Sequence, residues 1–397
     1  MPRATAPVPP TAGWPAAATL VGQAAEMAAA FAQQAAEVDQ PGAFPVEAFE
    51  RLAAAGFLVA PLRRRLGGCG LGIDAASTYE LLLLLQHIGR GNLAVGRVYE
   101  GHVNALQLVQ PFGTAEQIER YGQEVCDRNL LFGVWNAEDA EGLSLVPLGG
   151  GRYRLEGAKT FCSGAGYVCR PFVNGKLPDG TWQMAIVPME RVSTQWDRDW
   201  WQPMGMRATA SYKIDFTGVE LEASDLIGQP GDYLRQPWLT AGVVRFAAVQ
   251  LGGAAALFDL TRQYLQGEQR TEHPYQQERL GQMAIALESG HLWLRGAADQ
   301  LVAYDAQFGG DPQVDHPQRG RLLAYSNMMR TAIEQICMET LQFCQRSVGT
   351  RGLLPGHAME RVLRDLTLYL RQPAYDAAIA GVGAYVLAQT APAHDLW

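Results

Sequence analysis

The sequence predicts an α+β fold, helical at both ends and β in the middle, and three changes of texture support it. Residues 20–125 are rich in Ala, Leu and Gln with helical periodicity. Residues 126–228 turn to short alternating or apolar runs punctuated by glycine and proline. Residues 229–397 return to long helical stretches. The expected order is a flexible tail over 1–19, an N-terminal all-α domain over 20–125, a central β-domain of barrel or sandwich type over 126–228, and a C-terminal helical bundle over 229–397. A chain of 397 residues is long enough for such packed subdomains.

Taken in order, "MPRATAPVPPTAGWPAAATL" is Pro/Ala-rich. Without a charged start and a clean apolar core, it reads as a mobile tail and not a signal peptide. "LVGQAAEMAAAFAQQAAEVD" and "EAFERLAAAGFLVA" consist of good helix formers, the second ending at Gly56. "LGGCGLG" (66–72) is a glycine-rich loop without the Lys-Ser/Thr of a phosphate-binding P-loop. "YRLEGAKTF", "WQMAIVPM" and "YKIDFTGVEL" are strands, separated by the breaks "GGG", "PDG" and "TG". Four segments, beginning "VVRFAAVQ", "ERLGQMAI", "RLLAYSNM" and "YDAAIAGV", are long enough for the helices of a four-helix bundle.

Composition removes several function classes. A net charge of −8, with "RRR" (63–65) the only dense basic run, argues against nucleic acid as a partner. The six cysteines form no CxxC pair and no metal-ligand spacing with the seven histidines, so no metal is expected and a reducing, cytoplasmic setting is the simplest. Cys337 and Cys344, seven apart in a helical pattern, read as core. No run reaches the eighteen apolar residues of a membrane span, and no membrane is expected as a partner.

Five segments, in this order, resemble the acyl-CoA dehydrogenase family over nearly the whole chain. "FGTAEQIERY" (112–121) is similar to that family's FGTxEQ segment, and "LEGAKTFCSGAG" (155–166) to its GxKxWIT/SN strand. "QPMGMRATASYKIDFTGVEL" (202–221), "RFAAVQLGGAAALFDLTRQYLQGEQR" (245–270) and "ERVLRDL" (360–366) complete the series. The resemblance implies an acyl-CoA dehydrogenase-like fold with FAD between β-domain and bundle, in a homo-oligomer, dimer or tetramer. It also implies, as the default reaction, α,β-dehydrogenation of an acyl thioester with hydride transfer to the flavin. An electron-transfer partner or oxygen would reoxidise the flavin.

The residues matched to cofactor positions follow from that resemblance. Phe161 stands where the family places an aromatic against the isoalloxazine, and a flat apolar ring suits such stacking. Ser163, on the same strand face, matches the hydroxyl that bonds the ring edge. Asn136, in "VWNAEDAEG", replaces a threonine at the pyrimidine edge but still donates and accepts. Arg270 matches an arginine on the pyrophosphate, for which a guanidinium fork is suited. Arg346 and Gly349, in "QRSVGTRG", stand at a second dinucleotide contact, where Thr350 replaces a glycine.

The family's catalytic carboxylate is missing. Aligned on "RDL", its loop position is Pro373, and the alternative position, just before Arg245, is Val244. Arg245 is itself a candidate substrate contact. Three substitutes for the base remain: Asp376, otherwise a helix N-cap, and Glu100 and His102. The last two are neighbours on one helix but too close in sequence to share a face. The same fold hosts flavin monooxygenases, which need no α-proton base, so oxygen transfer stands as the alternative, and a non-catalytic flavoprotein as the third.

Overall fold

A computed structural model describes residues 15–140, 142–238, 242–308 and 318–397, and places helices on either side of a nine-stranded sheet in the described chain. The N-terminal helices are α1 (Ala17–Gln34), α2 (Val46–Ala54), α3 (Thr78–Gly91), α4 (Leu93–Phe112) and α5 (Ala115–Arg128). The first therefore begins three residues before the expected boundary; residues 1–14 of the expected tail lie outside the described residues. Asn92 separates α3 from α4 and caps the latter, its Oδ1 accepting from the Ala94 and Val95 N–H groups at 2.9 and 3.4 Å. Thr114 and Gln117 close a reciprocal capping box on α5.

The sheet comprises β1 (Leu131–Val134), β2 (Leu143–Gly149), β3 (Arg152–Cys162), β4 (Val168–Lys176), β5 (Trp182–Ile186), β6 (Gln195–Asp197), β7 (Tyr212–Asp215), β8 (Glu220–Glu222) and β9 (Leu226–Ile227). Its main path runs β6-β7-β3-β2-β4-β5-β9; β1 pairs parallel with β4, and β8 pairs with β3. The long strand β3 serves both halves. Its first part pairs with β2 and β8, its last part with β7, and the register slips between Lys159 and Cys162.

The C-terminal zone holds α6 (Val243–Gly267), α7 (Pro274–Phe308), α8 (Arg319–Val348), α9 (Ala358–Tyr369) and α10 (Tyr375–Leu387). The four expected bundle helices are α6, α7, α8 and α10; α9 is the shorter helix over "ERVLRDL". By length and composition α6 meets the criterion for a membrane span, contrary to the sequence expectation, but 67% of its most apolar window is buried inside the fold. Cys337 and Cys344 are buried, and all six cysteines are free thiols.

Helix α3 lies between α1 and α6, so the N-terminal domain and the bundle share one core. Glycine makes that possible. A Cβ on Gly89 would sit 2.3 Å from the Val249 carbonyl oxygen, and one on Gly252 would sit 2.1 Å from that of Gln86. The two helices thus approach backbone to backbone.

Helix α9 ties the β-domain to the rest. The Asp365 Oδ1 accepts the Met206 N–H at 2.6 Å, Arg364 donates to the Met204 carbonyl at 2.8 Å, and the same guanidinium reaches Asp39 at 2.5 Å. Burial pushes the Asp365 carboxyl up to about 6, against the opposing pull of Arg361 and the Met206 N–H.

Gly252→Ala is expected to lower stability by at least about 2–3 kcal/mol in denaturant unfolding, because the clash is with backbone. An effect under 0.5 kcal/mol would contradict the close approach. Because the folded-state pKa of Asp365 lies above its ordinary value of 3.8, its contribution is largest in acid and declines as pH rises through about 6. Thermal melts from pH 4 to 7 should show Asp365→Asn flattening that decline, by up to about 3 kcal/mol across the window.

Candidate active site

Two groups of residues make up the candidate site, one on the β-domain and one on the helices. The first is built on the slip in β3. Phe161 sits there with φ 52, a conformation a non-glycine residue adopts at a cost, and is 51% exposed. Trp200 meets its ring edge-on at 4.7 Å and Trp201 at 6.0 Å. An aromatic ring is therefore held in place while about half of the residue stays exposed.

Behind it runs a chain of hydroxyls. Thr209 donates to the Met206 carbonyl at 2.8 Å, Ser211 lies 2.7 Å from Thr209, and Ser163 lies 2.8 Å from Ser211. With Thr209 committed to a carbonyl, its oxygen accepts from Ser211, whose oxygen accepts from Ser163. The competing acceptor for Ser163, the Phe161 carbonyl, is at 3.5 Å, the limit of a hydrogen bond. Ser163 thus presents lone pairs and no spare proton.

Asn136 joins this group from the end of β1. The Trp135 indole donates to the Ser163 carbonyl at 2.9 Å, and the Thr160 N–H to the Ala137 carbonyl at 2.9 Å. The Asn136 side chain hydrogen-bonds Tyr233, while its Oδ1 is buried with no partner. Arg270, Arg346 and Gly349 lie on the bundle instead. Arg270 follows α6, Arg346 is exposed in the last turn of α8, and Gly349 ends that helix at φ 70. Among the described residues, no bond links these three to Phe161, Ser163 or Asn136.

The second group is a buried charge cluster on α4 and α6. Arg97 donates to Glu100 at 2.7 Å, Asn104 donates to the other oxygen of that carboxylate, and the Nε of Arg245 donates to Asn104. Burial raises the Glu100 pKa despite Arg97 and Arg245 beside it. Burial likewise brings Arg245 down to about 10, opposed by Glu100. The Tyr369 hydroxyl from α9 is near enough to Glu100 that its pKa is raised, chiefly by burial and then by that carboxylate. Sequence reading named Glu100 and Arg245 but missed Asn104 and Tyr369. Asn104 stands four residues after Glu100, on the same helix face, which was the available signal.

His102 points elsewhere. Its Nε2 lies 2.8 Å from the Leu58 carbonyl, and its Nδ1 accepts the Phe132 N–H at 3.0 Å. Both nitrogens are used by a neutral ring, and burial holds its pKa down to about 4. This is a structural histidine.

A cavity of about 380 Å³ opens between α3, α4, α6 and α7, with Val244 and Arg245 in its wall and Leu81, Leu82, Leu108 and Leu301 among its apolar residues. The exposed Arg63 and Asp305 stand on its solvent side. Pro373 and Asp376 are not in its lining. The Pro373 carbonyl instead accepts from Arg330 at 2.6 Å, which fixes the turn between α9 and α10. The N-cap of α10 is Ala374, in the left-handed region, and not Asp376. Asp376 lies in the first helical turn, exposed and without a capping bond, because the chain enters the helix two residues too early for it to cap.

Comparison with known proteins agrees with the helical domains. Residues 18–129 match the model of the acyl-CoA dehydrogenase N-terminal domain, and residues 236–370 that of the acyl-CoA dehydrogenase C-terminal domain. A dibenzothiophene monooxygenase of Mycolicibacterium goodii is 26% identical over 385 residues, covering 90% of each chain. A probable FMNH2-dependent monooxygenase, SfnC, of Pseudomonas putida is 26% identical over 395 residues, covering 94% of this chain and 96% of its own. The crystal structure of FMN-bound TdsC from Paenibacillus sp. A11-2 superposes with a TM-score of 0.84 at 22% identity, over 94% of this chain and 98% of that one. At that identity the likeness speaks to the fold.

His102→Leu should destabilise the protein by on the order of 2–3 kcal/mol in urea unfolding, since it strands the Phe132 N–H and the Leu58 carbonyl. It should also leave the pH dependence of any activity near neutrality unchanged. A lost titration step between pH 6 and 8 would contradict the assigned role.

Proposed function

This chain belongs to the acyl-CoA dehydrogenase family, and within it we propose a flavin-dependent monooxygenase that inserts one oxygen atom of O2 into a small organic substrate. One observation carries the reading. At the cavity wall where a base is needed stands Val244, while Pro373 is turned into the α9–α10 loop by its carbonyl bond to Arg330. Removal of an α-proton requires a base within about 3 Å. Glu100, the buried carboxylate nearest to Arg245, is held by Arg97 and Asn104 and is not in the cavity lining. Oxygen transfer needs no such base. The names of the M. goodii and P. putida relatives support the same choice over α,β-dehydrogenation.

The chain's own residues fit a flavin. Phe161 offers a half-exposed aromatic ring, Asn136 Oδ1 is a buried acceptor with no partner among the described residues, and Ser163 offers lone pairs. When bound, reduced flavin supplies the two electrons by which dioxygen is divided between product and water. The protein's share is positioning. Phe161, braced by Trp200 and Trp201, would hold the flavin ring. Ser163 would accept from the ring-edge nitrogen that carries a hydrogen in reduced flavin and none in oxidised flavin. Arg245, held by Asn104, would orient the substrate, and the apolar walls would keep water from the reacting atoms. These contacts concern the ring, so FMN and FAD both satisfy them. FAD would add Arg270, Arg346 and Gly349 at its phosphates and nucleotide.

The test is single turnover with reduced FMN or FAD and O2 against a panel of thioethers and heteroaromatics. An oxygenated product carrying label from ¹⁸O2 is expected. Bleaching of the oxidised flavin by acyl-CoA under anaerobic conditions would instead establish dehydrogenation, and neither outcome would indicate a non-catalytic flavoprotein. Ser211→Ala releases the Ser163 proton and should lower the preference for reduced over oxidised flavin by roughly tenfold, one hydrogen bond's worth. Ser211→Thr should restore it. Equal affinity ratios in all three proteins would refute the hydroxyl polarity.

A further inference from the structure

The cavity is not uniformly apolar. The Gln107 Nε2, the Gln110 Oε1 and the Trp238 Nε1 are buried without a hydrogen-bond partner among the described residues, and all three residues line it. Unmade bonds of this kind each cost about 1–3 kcal/mol, so three among the lining residues single out these side chains as partners for an occupant's polar atoms. Gln107 and Gln110 are three apart on α4 and share a face. Gly72 makes room for the first of them, since a Cβ there would stand 2.5 Å from the Gln107 Nε2.

Charge gives the polarity of that occupant. Arg97 and Arg245 are two cations and Glu100 is one anion, so the buried cluster behind the cavity keeps one net positive charge. Arg245, 7% exposed and in the cavity wall, has its Nε on a neutral amide, Asn104. Donors predominate among these lining residues: the Trp238 indole is a donor only, the Gln107 amide nitrogen donates, and Arg245 is a cation. Gln110 is the one orphaned acceptor, suited to a water or a hydroxyl on the ligand.

We propose that this cavity takes a small molecule with an apolar body and an oxyanion head, of the sulfinate, sulfonate or carboxylate class, and that Gln107, Trp238 and Arg245 bind the head. The proposal rests on the reading of the cavity as the substrate chamber. The leucines of α3, α4 and α7 receive the body. About 380 Å³ lies at the small end of the range for ligand pockets, which suits a compact ligand.

The experiment is calorimetric titration of the flavin-loaded full chain with benzenesulfinate and benzoate, set against the headless probes thioanisole and toluene. The oxyanion probes should bind at least about tenfold more tightly. Trp238→Phe and Gln107→Leu, checked for fold by circular dichroism and flavin loading, should each weaken oxyanion binding by about tenfold and leave thioanisole within about twofold. Equal or tighter binding of the headless probes would overturn the proposal, as would variants that weaken both kinds alike. Binding is read without turnover, so a protein that discriminates heads but yields no oxygenated product would sink the monooxygenase reading and leave this one standing.

Discussion

The backbone-to-backbone approach of α3 and α6 is the constraint on which the rest of the molecule depends. Gly89 and Gly252 let two long helices from different domains pack closer than side chains allow. Val249 and Gln86 supply the carbonyls that any Cβ would strike. Because α3 and α6 also form two walls of the cavity, the same contact sets the spacing of Leu81 and Leu82 against Val244 and Arg245. A shift of either helix would therefore change the shape of the site along with the stability of the core.

Around that core the molecule keeps several charges out of water, each with a partner that explains its cost. Lys159 is fully buried but donates to Glu138 at 2.6 Å and Asn174 at 2.9 Å, which holds the exit of β1 to β3. Arg170 lies between Glu124 and Glu190 and fastens α5 to β4. Such pairs are expensive to break because the remaining charge is stranded. The cluster of Arg97, Glu100 and Arg245 holds two cations against one carboxylate, and its Arg245 is in the cavity wall.

Much of the architecture was legible along the chain. Helical periodicity placed the bundle helices, and the alternating runs placed β3, β5 and β7, because both patterns are set by local burial on one face. The site was legible in part. Phe161 and Ser163 could be singled out from "KTFCSG", yet the left-handed backbone of Phe161 arises from a slip against β7, a strand fifty residues away. Asp376 illustrates the opposite error. An acidic residue near a helix start reads as a cap, but Arg330 fixes the turn at Pro373 and the helix begins at Tyr375, one residue before it.

What the sequence by itself determined is the order of domains, the family, and the absence of a base at the two expected positions, since these are matters of residue identity and local pattern. What only the tertiary structure decided is which polar residues face a common space. Gln107, Trp238 and Arg245 come from three separate stretches and carry no shared motif. They meet because α4 and α6 cross beside the α3–α6 contact, and long-range packing, not local propensity, sets where helices cross.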